Sequence, residues 1–459
     1  MSRTEYQCEV SHSSPASPVS LQKELTLFDV IAIVVGTIIG SGVFLIPSTI
    51  AAQLDSLGSV LFVWVVGGVL TLFGALCLAE LGSMFPGTGG LCTYLRYAYG
   101  PFPAFLYAWA LLVMIHTGSI AALGNGFGLF AGQVLSLNAI EMKLLSASSI
   151  LVLTAMSCVG IRSGKLVQNV IAICKITGLA AIIVVLGVKG PLALHLTQRL
   201  PGFSVPSLSL TKFGIALVAV LWAYEGWHVV SFVAGEMKSP KVDLPRGLFY
   251  GTMTVILVFV AANLGYYHTL PAVEIRNSNA VAALAVQTVL GPTASKCLSL
   301  LILLSILGSM NGLILTGPRV YYALAQERVF PAVFGQLSAR YRTPVMALIV
   351  QGIWAALLAA SGSYEQLFTD VIFTAWIFYG LGVAGVFVLR RTQPHAERPF
   401  CVPGHPWPPL LFCAAAVGVI VSTLITRPVG ASIGIGLVAC GVPVYFVCQK
   451  AQPPERTSS

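Results

Sequence analysis

The chain has little charge. Only 9% of its 459 residues are Asp, Glu, Lys or Arg, against 56% hydrophobic, and its mean hydropathy is +0.87. A water-soluble domain carries charge on roughly a quarter of its residues, which excludes a soluble globular protein. Paired cysteines are also lacking. The ten cysteines are scattered, mostly inside apolar stretches (Cys77, Cys158, Cys174, Cys297, Cys413, Cys440), and no C-x-x-C occurs. That pattern argues against a zinc site or a disulfide framework and leaves packing as small apolar residues. There is no H-E-x-x-H and no P-loop, the seven histidines are dispersed, and no nucleophile has a base close in sequence. No catalytic residue, metal or cofactor is read from this chain, and an enzyme is not expected. No secretory signal is seen either. Residues 1–25 are polar, rich in Ser and Pro, and carry Glu5, Glu9 and Glu24, which reads as a disordered tail.

What is present is a series of apolar stretches near the ~20 residues that a membrane-spanning helix needs. Runs this long and apolar are helices, because lipid offers the backbone no other hydrogen-bond partners. Twelve spans are expected, at 27–53, 58–84, 101–134, 144–160, 166–188, 212–236, 247–270, 294–325, 344–361, 366–389, 407–426 and 430–448. An even number puts both termini on one side. That side holds Arg3, Lys23, Arg96, Arg162, Lys165, Lys238, Lys241, Arg246, Arg328, Arg340, Arg342, Arg390, Arg391, Arg398, Lys450 and Arg456. The other holds fewer: Lys143, Lys189, Arg199, Lys212, Arg276, Lys296 and Arg427. Positive charge collects in the cytosol, so both termini are placed there, and the formal charge of +9 reflects topology instead of nucleic-acid binding. Within apolar segments stand Lys175, Arg319, Glu80 and Glu225. Intramembrane charge is costly and each is a functional candidate, although Glu80 and Arg319 also fit helix ends that reach the interface.

The first span contains "VVGTIIGSGVFLIP", with Gly36, Gly40, Ser41 and Gly42 crowding its middle. The sixth, "LWAYEGWHVVSFVAGE", is interrupted at Glu225–Gly226. Two interruptions five spans apart point to a secondary transporter built from inverted repeats, with its site where the breaks meet. An unwound stretch frees backbone N–H and C=O groups that a ligand can satisfy. The half-helix starting near Ser41–Gly42 turns its N–H groups and positive dipole end toward an anion. Carbonyls at the end of the preceding half-helix suit a cation. Such a site complements a zwitterion bearing a carboxylate and an ammonium. The bland alternative is that Gly36 and Gly40 form a G-x-x-x-G helix-packing face.

Several ordered motifs carry a resemblance: "GTIIGSGVF" (36–44), "PGTGGLCTYLRYAYGP" (86–101), "AYEGWHVVSFVAGEMKSPKVDLPRG" (223–247) and "GSMNGLILTGPRVYYALAQERVFP" (308–331). From about residue 22 to 448 the chain resembles the L-amino-acid transporter family of the amino acid–polyamine–organocation superfamily. The resemblance implies an all-α, LeuT-like fold of twelve transmembrane helices. Its first inverted repeat would cover 26–190 and its second 208–392; two further helices would cover 405–448 and a cytosolic tail 449–459. It implies amino acid transport by alternating access, usually as obligatory exchange, in the plasma membrane. The substrate carboxylate would bind at Gly40, Ser41 and Gly42. Backbone carbonyls of Thr37, Ile38, Trp222 and Glu225 would take the amine. Trp222, Tyr224, Glu225, Asn311 and His116 would form the gate and side-chain pocket, and Lys175 would occupy the place of a sodium ion.

The chain also departs from that family. The loop "GQVLSLNAIEMKLLS" (132–146) lacks the cysteine that animal members use to bind a glycoprotein partner, so a disulfide-linked heavy chain is not expected and the chain is read as a prokaryotic stand-alone member. His116 stands where several relatives have arginine, and also fits a packing histidine. Glu225 occupies a position that is small in many neutral amino acid carriers. Ionised, it can pair with a cationic side chain; protonated, it can donate to a neutral one; it can also couple transport to protons. Proton symport and a non-transporting amino acid sensor therefore stand as alternatives to exchange. "GLGVAG" has the spacing of a dinucleotide fingerprint but lies inside the tenth span, where it reads as helix packing. "SPKVDLPRG" (239–247) is expected to be a cytosolic loop, either a topology anchor or an inner gate in which Lys238, Lys241 and Arg246 close on Asp243 or Glu236.

Overall fold

The computed structural model describes residues 23–450, apart from 55, 88, 160–163, 191–208, 279, 339–340 and 342. Almost all of the expected tails, together with Arg162, Arg199, Arg340 and Arg342 of the charge pattern, lie outside the described residues.

Each expected span coincides with helix. The first is α1 (Leu27–Ile38) and α2 (Gly42–Gln53), bent by 44° at the break. Then come α3 (Leu57–Met84) and a short α4 (Leu91–Tyr99). The third span is α5 (Pro101–Ala110), a π-helical turn at Leu111–Ile115, and α6 (His116–Leu135). α7 (Ala139–Cys158) and α8 (Gly164–Lys189) follow. The sixth span is α9 (Leu210–Ala223), a turn, and a 3₁₀ segment at Val229–Glu236. α10 (Pro240–Thr269), short α11 (Ala272–Asn277) and α12 (Val281–Leu290), and α13 (Pro292–Gln326) come next. The remainder is α14 (Val345–Ser361), α15 (Tyr364–Thr392), α16 (Trp407–Thr426), and a last span divided into α17 (Pro428–Ala439) and α18 (Gly441–Lys450). Among the described residues, eight helical stretches are long and apolar enough to cross a membrane unaided, and the bent pair α1–α2 makes a ninth. Their outer surfaces stay apolar: Phe62, Leu151, Val184, Leu257, Leu304, Leu357 and Val417 all face outward. Water would penalise that surface and lipid does not. The protein is a polytopic all-α membrane protein.

The broken spans sit among the intact ones. α1 packs on α10, α8 and α13, while α2 packs on α9. α1 starts where the Asp29 carboxylate accepts the Thr26 N–H at 2.9 Å and the Thr26 hydroxyl at 2.7 Å. An acid in the first turn also suits the helix dipole. Glu24 and Leu25, the end of the expected tail, are tied down: both N–H groups donate to the Glu236 carbonyl, at 2.9 and 3.0 Å, and Lys238 N–H donates to the Leu25 carbonyl at 3.0 Å.

The expected loop at 239–247 is instead the start of α10. Pro240 stands at the first helical position, where its missing N–H is no loss, and Asp243 lies in the first turn. The inner-gate pairs differ too. Glu236 is held by Arg319 at 3.1 Å, and Lys241 by Glu397 at 3.0 Å. Glu80 does not reach the interface; only 1% of it is exposed. Arg390 donates to its two oxygens at 2.8 and 2.6 Å, and Val402 N–H donates at 2.7 Å. A buried carboxylate is tolerable only with such partners. The arrangement ties α3 to the end of α15 and to the following loop.

Candidate functional site

The first break follows from a close approach of backbones. A Cβ on Gly42 would lie 2.6 Å from Ala223 Cα, so only glycine lets α2 begin against the end of α9. In the second break Gly226 has φ +111°, and a Cβ there would lie 3.1 Å from the Thr37 carbonyl oxygen. The two glycines thus press each break against the other.

Between them lies a small cavity of about 30 Å³. Thr37, Ile38, Gly40, Ser41 and Gly42 line one end. Because α2 starts at Gly42, the N–H groups of Gly42 and Val43 have no helical carbonyl behind them, whereas Phe44 and Leu45 donate to the Ser41 carbonyl at 3.1 and 3.0 Å and the Gly40 N–H donates to the Ile38 carbonyl at 2.8 Å. Carbonyls of this break are held from outside: Lys175 Nζ donates to the Gly36 carbonyl at 3.1 Å and to Ser309 Oγ at 2.7 Å, and Ser309 and Ser305 reach the Ile39 carbonyl at 3.4 and 3.5 Å. Lys175 is buried, as its sequence context required. These bonds brace the carbonyls of the unwound stretch.

Trp222 also lines the cavity. Its Nε1–H donates to the Tyr364 hydroxyl at 2.9 Å, and that hydroxyl lies 2.9 Å from Ser41 Oγ. The Trp222 ring stacks on Phe368 with centroids 6.0 Å apart. Where α1 begins, the Glu24–Leu25 and Glu236–Lys238 hydrogen bonds and the Arg319–Glu236 ion pair hold α1 to the sixth span.

The other end of the cavity is polar. Glu225, His228, His116 and Ser119 line it. The Tyr379 hydroxyl donates to Glu225 Oε1 at 2.6 Å and lies 3.0 Å from His228 Nδ1. Glu225 Oε2 and both ring nitrogens of His116 are buried without a partner among the described residues. His116 is the first residue after the π turn. Such turns in α-helices occur frequently at functional sites.

Two expected pocket residues are elsewhere. Tyr224 donates its hydroxyl to the Trp64 carbonyl at 3.2 Å and packs on Trp64 and Phe259. Asn311 does not line the cavity; Leu313 does. The reason is helical: residues two apart differ by about 200° around the axis. On α13 it is the i, i+4 set Ser305, Ser309 and Leu313 that faces the site. Tyr364, Tyr379, Ser309 and His228 escaped the sequence reading. Only His228 had a local signal, three residues beyond Glu225 in the interrupted span.

A cavity with the start of α2 at one end and a polar far end suits a small amphoteric solute. The amino acid permease family model matches residues 25–448. The chain belongs to that family. It is 34% identical over 433 residues to the serine/threonine exchanger SteT of Bacillus subtilis, covering 94% of this chain and 98% of that protein. With the b(0,+)-type amino acid transporter 1 of Homo sapiens it shares 34% over 421 residues, 91% of this chain and 85% of that one. With the cystine/glutamate transporter of Homo sapiens it shares 31% over 433 residues, 94% and 86% of the two. The protein is a multi-pass membrane transporter of amino acids and not an enzyme.

Proposed function

We propose that this permease is a sodium-independent exchanger of L-amino acids that accepts cationic as well as neutral side chains and works by alternating access. The observation that carries the reading is the cavity between the two breaks, with N–H groups at one end and an unpartnered Glu225 oxygen at the other. The α-carboxylate binds the N–H groups at Ser41 and Gly42, the Gly40 N–H being held by the Ile38 carbonyl at 2.8 Å, and the amine binds carbonyls of Thr37 and Ile38. Trp222 is the gate. Lys175 stands in for a coupling cation, because its ammonium already meets the Gly36 carbonyl at 3.1 Å. Glu225 takes the substrate side chain, with His116 beside it. The same reading makes 26–190 and 208–392 inverted repeats, with 405–448 trailing, and puts both termini in the cytosol at the plasma membrane. It needs no disulfide-linked partner, since 132–146 contains no cysteine.

Protein reconstituted in vesicles tests this. Uptake of a labelled amino acid is expected to require unlabelled amino acid inside and to be indifferent to sodium. Net uptake into empty vesicles driven by a pH gradient would establish symport instead, and binding without flux would establish a sensor.

A further inference from the structure

We propose that the polar end of the cavity carries one exchangeable proton, which travels with neutral substrates and is displaced by the charge of a cationic one. This rests on the exchanger reading and adds the charge rule of the same site.

The geometry is a three-member hydrogen-bonded chain. Tyr379 has one hydroxyl proton, and at 2.6 Å it is engaged by Glu225 Oε1. Its oxygen must then accept from His228 Nδ1 at 3.0 Å, which assigns a proton to Nδ1. The ends also approach directly, Nδ1 to Oε1 at 3.4 Å. Without an added proton the trio is a carboxylate, a phenol and a neutral imidazole, with net charge −1. With one added proton it is neutral, and the chain offers that proton two homes. As an imidazolium, His228 holds it. If the Nδ1–H bond breaks and a bond forms to the Tyr379 oxygen while the Tyr379 proton passes to Oε1, Glu225 becomes a carboxylic acid and His228 a neutral imidazole. Every hydrogen bond in the chain then reverses direction and none is lost.

Glu225 Oε2 is the free corner of this trio. It is buried without a partner among the described residues, and the Glu225 side chain is only 9% exposed. In the −1 form it is a charged acceptor suited to an ammonium or guanidinium. In the neutral form it accepts a hydroxyl or amide proton. The loaded cavity thus has the same charge in both cases, since a cationic side chain with the −1 trio and a neutral side chain with the protonated trio both sum to zero. Constant charge keeps the cost of carrying the site across the membrane constant.

The surrounding titratable groups do not disturb the count. His116 on α6 stands 6.3 Å from His228 by ring centroids and has no hydrogen-bonded path to the trio among the described residues. The hydroxyl of Tyr107 on α5 is buried and has no hydrogen-bonded path to the trio among the described residues. Lys175 on α8 is engaged by Gly36 and Ser309 and does not line the cavity. From α1 and α13 the lining contains Thr37, Ile38 and Leu313, which do not titrate.

The test uses the full chain in vesicles containing a pH-sensitive dye, with potassium and valinomycin setting the membrane potential. With arginine inside and serine outside, each arginine that leaves is expected to bring one proton in with the serine. The rate should not respond to potential. Serine–serine exchange should be silent in the dye. The preference for serine over arginine should rise up to ~10-fold for each unit that pH falls, the limit for linkage to one proton. Glu225→Gln removes the carboxylate whose charge the proton balances and should reduce the protons moved per serine to zero, whereas His228→Gln leaves Glu225 as the proton's remaining home and should keep the coupling. Because that readout is a ratio, it is independent of how much variant protein folds. Heteroexchange that moves charge without protons overturns the proposal, as does serine exchange without any arginine exchange. Absence of serine–serine exchange as well would remove the exchanger reading itself.

Discussion

Gly42→Ala adds one methyl group at the point where the two broken spans touch. The new Cβ would meet Ala223 Cα at 2.6 Å and Ala223 Cβ at 2.8 Å, whereas ordinary contact begins at 3.4 Å. The shortfall to the Cα is 3.4 − 2.6 = 0.8 Å. It falls on backbone, so no rotamer change relieves it and α2 must move away from α9. Overpacking of this kind costs about 1–3 kcal/mol, which a protein with many intact spans survives. The site is less tolerant. The N–H groups of α2 and the carbonyls of the breaks must address the two ends of one amino acid, and misplacement of about 1 Å can cost about 10²-fold. The expected result in reconstituted exchange is a KM raised roughly 10- to 100-fold, with a smaller effect on the melting midpoint in detergent. Gly42→Leu should be worse in the same sense. Gly40→Ala is the control: its Cβ would meet only side-chain atoms, Leu123 Cδ2 at 3.3 Å and Ser309 Oγ at 3.5 Å. It should stay within a few-fold of the unmodified protein. Equal impairment of the two alanine variants, unaltered KM in Gly42→Ala, or loss of its fold on solubilisation would refute this account.

Further expectations concern the groups around the cavity. Tyr364→Phe removes the hydroxyl shared by Trp222 and Ser41, leaving two polar groups unpaired at about 1–3 kcal/mol each; release of a prebound labelled amino acid should be at least about 10-fold faster, and unaltered release would show that these bonds do not hold the gate. Lys175→Ala strips the Gly36 carbonyl and Ser309 of their buried donor. Exchange in sodium-free medium should fall by about 100-fold, of the order expected for removing a charged hydrogen bond of about 1.5–3 kcal/mol or more, and near-normal exchange would exclude Lys175 as the brace. Glu80→Ala should act on stability alone: removing one member of a buried ion pair costs about 3–5 kcal/mol, with the lower end expected because the Arg390 side chain is 27% exposed. A lowered melting midpoint with unaltered KM is the predicted outcome, and a raised KM with unaltered melting would reverse the assignment.

The features legible in the sequence were those that carry a local energetic penalty. Glycines in an apolar run weaken a helix wherever they occur, and an acid or lysine in lipid is costly whatever faces it. The breaks at 39–41 and 224–226, and Glu225 and Lys175, could therefore be named without knowing the partners. What could not be read was pairing between distant positions. Ser41 and Tyr364 are 323 residues apart, and Glu225 and Tyr379 are 154 apart. Both tyrosines lie on α15, Tyr379 inside the expected tenth span and Tyr364 just before it, in a stretch that reads simply as an apolar helix. Helix rotation was equally hidden. Nothing local favours Ser309 over Asn311, because α13 is apolar on most sides and its orientation is settled by packing against α1 and α6. The same limit explains Glu80: as an isolated acid near a helix end it suggested the interface, and only the folded chain brings Arg390 from 310 residues away to bury it. A charge in lipid identifies a place that needs a partner. Whether the partner is another residue, as for Glu80, or a transported solute, as for the free oxygen of Glu225, is decided by which groups the fold leaves unpaired beside a cavity.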